Sequence, residues 1–63
     1  MADIFDRTIQ GISGAISVSV DEDGDIEVVE ESSYDVAFLT ADAAEQLIQA
    51  LTEAVLVSRK VTP

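Results

Sequence analysis

Residues Ala15-Ile16-Ser17-Val18-Ser19-Val20 alternate strictly, with Ile16, Val18 and Val20 on one face and Ser17 and Ser19 on the other. Period two in β-branched residues predicts a strand with one wet face. Asp21-Glu22-Asp23-Gly24-Asp25 follows, and its Asp-Gly step supplies the positive φ of a tight hairpin connection. Ile26 to Glu31 then reads as a second strand. Tyr34 to Leu39 reads as a third, after a polar break at Ser32-Ser33. If the first loop pairs Val20 with Ile26, then Val18 meets Val28, Ile16 meets Glu30, and Val29 is left on the wet side. An odd-numbered second loop pairs Val28 with Phe38 and carries the apolar face on through Val36 and Tyr34. A two-residue loop sets Val29 opposite Val36 instead. The odd loop, with a bulge near Val28-Val29, is the favoured reading.

Beyond Leu39 the period changes to that of a helix, expected from about Ala41 to Ser58. Thr40 is placed to cap it, and Asp42 and Glu45 complement its positive end. Ala44, Leu47, Ile48, Leu51, Ala54 and Val55 form the stripe expected to cover the sheet, opposite Asp42, Glu45, Gln49 and Glu53. Ala43, Ala50 and Val57 make a small-residue shoulder, where a neighbouring helix can approach. Arg59 and Lys60 suit the negative helix end. The opening segment is ambiguous: Ile4, Phe5, Thr8, Ile9 and Ile12 follow helical spacing behind Asp3, yet Gly11 and Gly14 interrupt it. The expectation is therefore an α+β fold, a three-stranded antiparallel sheet packed against one C-terminal α-helix. Residues 1–14 form a short N-terminal helix or arm, and 15–63 one small ββ(β)α domain.

Composition narrows the chemistry. The 63 residues include 13 Asp or Glu, 3 Lys or Arg, and no His or Cys, for a formal net charge of −10. Imidazole bases, thiol nucleophiles, disulfides and thiolate or imidazole metal sites are thereby excluded. Carboxylate pairs remain, but a chain this short has no second layer to desolvate one of them, so no enzymatic activity is expected. So acidic a chain repels phosphate, which argues against direct nucleic-acid binding and against anionic membranes. The acidic N-terminus and the lack of a long apolar run point to a cytoplasmic protein. A domain of this size sits near the limit of self-sufficient stability, and without disulfides a homodimer is the expected remedy. Ile4, Phe5, Val29, Ala43, Ala50 and Val57 are the candidate apolar contacts for it.

Seven acids fall between residues 21 and 31: Asp21, Glu22, Asp23, Asp25, Glu27, Glu30 and Glu31. Ser19, Asp21, Asp23, Asp25, Glu27 and Glu30 around Gly24 also fit the spacing of a twelve-residue calcium loop. Such a loop needs a helix on each side, whereas these flanks are strand-like. A solvated hairpin tip is therefore expected, with no cofactor and no resident metal. A dense acidic face of this kind can imitate a row of phosphates and occupy a basic groove, as DNA-mimic inhibitors do.

Val18 to Gly24, Ser33-Tyr34-Asp35-Val36, Leu39-Thr40, Ala43-Ala44-Glu45-Gln46-Leu47, Ala50-Leu51 and Ser58-Arg59-Lys60-Val61 together resemble the N-terminal oligomerisation domain of the H-NS-like xenogeneic silencers of actinobacteria. The resemblance spans residues 16–61. It implies a strand pair plus helix that dimerises, with an N-terminal arm able to extend the assembly. The basic linker and Arg-Gly-Arg-type DNA-binding domain of that family have no counterpart here. The resemblance thus implies self-association, or capture of a full-length silencer in mixed oligomers, and not silencing itself. Two roles follow: a self-associating interaction module that regulates a partner through mixed oligomers, or an acidic inhibitor of a basic, nucleic-acid-binding protein. A phage origin suits either.

Overall fold

A computed structural model describes residues 3–31 and 37–61. Three strands, β1 (Asp3–Gln10), β2 (Ala15–Asp21) and β3 (Ile26–Glu30), precede a single helix, α1 (Ala41–Val61). The strands form an antiparallel sheet in the order β1-β2-β3, and α1 packs on one face of it. The fold class is the one the alternation and the helical period imply.

β2 pairs with β3 in the anticipated register: Val20 with Ile26, Val18 with Val28, Ile16 with Glu30. A four-residue loop, Glu22-Asp23-Gly24-Asp25, closes this hairpin, with Gly24 at φ 86°. Asp21 Oδ1 accepts from the amides of Asp23 and Asp25 at 2.9 and 3.0 Å, holding the turn from within. That geometry needs a residue tolerant of positive φ and a short carboxylate just before it.

The third described strand is β1, residues 3–10, which lies on the other side of β2 from β3. Residues 1–14 are therefore neither a helix nor a free arm over their described length. Phe5, Arg7 and Ile9 pair with Val20, Val18 and Ile16, so the opening segment has period two. The glycines that forbid a helix make the β1–β2 turn: the Gly11 amide donates to the Gly14 carbonyl at 2.8 Å. A Cβ on Gly11 would lie 2.7 Å from that carbonyl oxygen and 3.0 Å from that of Phe38, which accounts for glycine there. The β1 ladder is irregular between Asp3 and Phe5, whereas the β2–β3 ladder runs unshifted through Val28-Val29. Residues Ala37–Thr40 are not a strand, and Phe38 does not pair with Val28; its carbonyl accepts from the Ile12 amide at 2.9 Å. Tyr34, Val36 and the Ser32-Ser33 loop lie outside the described residues.

The core is built from Ile9, Val18 and Val20 on the sheet and Ala43, Ala50 and Ala54 on the helix, flanked by Phe5, Leu39, Leu47, Leu51 and Val57. The helix is thus rotated from the expected orientation. Its small-residue shoulder faces the sheet, and Ile48, expected inside, is 64% exposed. Volume explains the rotation: a sheet surface of Ile and Val fills the interlayer space, and alanines opposite it let the backbone come close at native packing density. Leu47, Leu51 and Val57 then close the flanks. As candidate contacts for another chain, Ala43 and Ala50 are already consumed, being 5% and 0% exposed.

Thr40 caps the helix as expected, its Oγ1 accepting from the Ala43 amide at 3.1 Å. Thr40→Ala should cost about 1 kcal/mol and lower the melting temperature by about 4–8 °C, read by far-UV circular dichroism. A melting curve superimposable on the parent's would mean that the cap contributes nothing. Arg7 Nη2 donates to Glu53 Oε2 at 2.6 Å and ties β1 to the helix, while the guanidinium lies 5.5 Å from the Phe5 ring centroid. Both ends of the ion pair are about half exposed, so it orients more than it stabilises.

Candidate functional site: an open strand edge and an acidic face

Where α1 sits decides what remains uncovered. The Arg7–Glu53 pair places one flank of the helix toward β1. At 100° per residue, Ala44, Ile48, Leu51 and Val55 lie on the other flank, toward β3. Ser58 lies on that side too, and its hydroxyl donates to the Gly24 carbonyl of the β2–β3 hairpin. The helix nonetheless covers mainly β1 and β2. On β3, Ile26 and Val28 share the helix-side face yet remain 40% and 54% exposed, and Val29, on the opposite face, is 39% exposed. Together with Ile48 they form an apolar border along an outer strand.

The backbone of that strand is equally available. The Asp21 amide donates to the Asp25 carbonyl at 3.1 Å, and that of Glu31 to the Ala15 carbonyl at 2.8 Å. Hydrogen-bonded pairs alternate along an antiparallel ladder, so Glu27 and Val29 turn their amides toward β2. Ile26 and Val28 therefore turn theirs outward, away from the sheet. Position in the chain alone cannot signal this property, because it requires knowing that β3 is an outer strand.

Of the six apolar candidates, the structure leaves two clearly accessible. Ile4 is 48% exposed, in the irregularity between Asp3 and Phe5, and Val29 borders the open edge. Phe5 and Val57 are half-buried against the core, where Ala43 and Ala50 lie. Ile26, Val28 and Ile48 are exposed as well and are not among those candidates. The alternation assigns the first two to a covered face, and the third to the helix stripe that covers it.

The acidic candidates are spread over both faces. Glu30, paired with Ile16, is on the helix side, whereas Glu27, paired with Ser19, is on the open side. Asp21, Asp23 and Asp25 cluster at the tip, with carboxylate oxygens within 4.8 Å of one another. Glu22 and Glu31 are exposed. The seven acids are thus not one row. The open face adds Asp3, which stands opposite Asp21 in the β1–β2 ladder. No helix among the described residues is long and apolar enough to cross a membrane. Comparison with family models, curated proteins and solved structures gives no match.

Proposed function

We propose that this chain is a non-enzymatic protein-interaction module that self-associates through β3 and regulates a related partner by entering mixed oligomers through the same edge. One observation carries the reading: among the described residues, β3 is an outer strand with apolar side chains exposed on both faces and amides turned outward. An uncovered apolar edge is a template for a further strand unless charge, proline or a bulge blunts it. β3 has no proline and no bulge, and its acids are compatible with pairing to itself.

That compatibility favours a second copy as the occupant. An antiparallel β3–β3 pair centred on Val28 sets Val28 against Val28, Ile26 against Glu30 and Glu27 against Val29. No acid then faces an acid across the seam. The sheet would run continuously through six strands, with both helices on one face. Their Ile48 and Val55 flanks would close over the Val28 pair, supplying the burial that one small domain lacks. A chain with a similar edge can replace one copy, which is how mixed oligomers arise and how the resemblance to silencer oligomerisation domains acquires a function.

Solution mass tests this reading. Light scattering over a concentration series should give twice the chain mass, with association that holds or tightens as salt rises, because salt screens the repulsion between two chains of net charge −10. A monomer at every concentration and salt would overturn it. Binding to a basic protein that fades with salt would then point to the acidic face instead.

A further inference from the structure

Charge decides which strand fits the β3 edge best. The seven residues from Asp25 to Glu31 include Asp25, Glu27, Glu30 and Glu31 and no Lys or Arg. The three cations of the chain lie elsewhere: Arg7 is held on Glu53, and Arg59 and Lys60 belong to the last turn of α1. In the β3 pair centred on Val28, Glu27 stands opposite Val29 of the second copy but diagonal to that copy's Glu27 and Glu31. Just past the strand ends, Glu31 meets Asp25 of the second copy. Diagonal neighbours remain within reach of long side chains, and like charges across a ladder destabilise it. Self-pairing therefore relies on backbone hydrogen bonds and apolar contact, against like charge on both sides of the seam.

The outward amides set the register of any added antiparallel strand. Among the described residues those of Ile26 and Val28 face away from the sheet, so a residue opposite Val28 exchanges both hydrogen bonds with it. The side chains then follow from the alternation. On the helix side the added strand meets Ile26 and Val28, and on the open side Glu27 and Val29, with Asp25 and Glu31 at either end. Apolar residues suit Ile26, Val28 and Val29, all of them exposed, whereas Lys or Arg suits Asp25, Glu27 and Glu31. From its N-terminus, the complementary strand reads basic, any residue, apolar, apolar, basic, apolar, basic.

We propose that the partner captured by this chain presents a strand of that basic and apolar pattern at its own sheet edge, and that this strand displaces the second copy from β3. Such a partner chemistry rests on the reading of β3 as the interaction edge. Opposite charges across the new ladder stabilise it, and a positive strand is also drawn toward a chain of net charge −10 before contact. Mixed pairing and self-pairing then respond to salt with opposite signs. Screening weakens the attraction in the first and relieves the repulsion in the second.

The probe is a fluorescently labelled peptide, Lys-Thr-Val-Val-Lys-Val-Lys, titrated with the full chain by anisotropy at low and at high salt, beside the solution mass of the chain alone. Saturable binding of one peptide per chain is expected, weakening as salt rises. Exchanging the lysines for glutamates should abolish it. So should N-methylation of the fourth residue, which removes the amide that donates to the Val28 carbonyl and keeps the charge. Glu27→Gln should weaken peptide binding about two- to fivefold while tightening self-association, and Glu45→Gln, at an exposed helix position, should leave both unchanged. No saturation up to about 1 mM, or equal binding of the glutamate peptide, would overturn the proposal. Full binding after N-methylation would overturn it too, by assigning the peptide to the acidic face. A dimer that takes no peptide would sink this partner chemistry and leave self-association standing. A monomer that takes the peptide but not its N-methylated form would do the reverse.

Discussion

Ile9→Ala is expected to remove most of the stability of this domain. Ile9 is 1% exposed and joins Val18, Val20, Ala50 and Ala54 in the core cluster. Truncating a fully buried isoleucine costs about 2–5 kcal/mol through lost transfer energy and the cavity left behind. A chain of 63 residues has only about 3–9 kcal/mol in total. Helix α1 has little prospect of closing the gap, because alanines face the vacated volume. Urea unfolding followed by far-UV circular dichroism should show the midpoint collapse toward zero denaturant. Ile12→Ala, at a 68% exposed position in the β1–β2 turn, should move it by no more than about 0.5 kcal/mol. Equal midpoints for the two variants would contradict the placement of β1 in the core.

The second large effect concerns assembly. Val28→Glu should convert the self-associated protein to monomer while leaving the fold intact, since Val28 is 54% exposed in the single chain. In the proposed pair the two-fold axis passes beside Val28, so one substitution places two carboxylates against each other, with Glu30 of each copy diagonal to them. Juxtaposed like charges at a desolvated seam cost several kcal/mol, enough to weaken association by about a hundredfold or more. Leu56→Glu adds the same charge at a 57% exposed position on the helix face turned from the sheet, and should leave the mass unchanged. Monomer formation by both variants would trace the effect to overall charge. Retention of the dimer by Val28→Glu would move the interface away from β3.

Particular residues show how far the chain could be understood before its structure was known. The β2–β3 hairpin was legible down to individual partners, because alternating β-branched residues fix the register and Asp21 and Gly24 fix the turn. The helix and its Thr40 cap were legible for the same local reason. β1 was not. As an outer strand it carries Arg7 on its inner face, whose guanidinium reaches the helix at Glu53, and that charge breaks the apolar alternation. Helix rotation was also hidden, since a periodicity weighted by hydrophobicity favours Ile48 over Ala43. The packing is decided by volume, and the bulk of Val18 and Val20 calls for alanine opposite.

The candidate surfaces inherit those two gaps. With Phe38 read as the partner of Val28, which the described ladder does not include, Val28 was assigned to the sheet interior rather than to a partner. With residues 1–14 read as an arm or helix, Asp3 had no place beside Asp21. The acids of the hairpin were read as one group. Their division between two faces, with Glu27 on one and Glu30 on the other, follows from pairing and was already implied by the Val20–Ile26 register.

Amide hydrogen exchange at Val28, read by NMR in dilute and in concentrated solution, tests the central claim most directly. Its amide points outward from the sheet, so pairing with a second copy gives it an acceptor that it lacks among the described residues. The account predicts protection at Val28 that rises with protein concentration, while amides along the β1–β2 ladder stay protected throughout. Fast exchange at Val28 under conditions where the mass is that of a dimer would contradict pairing through β3.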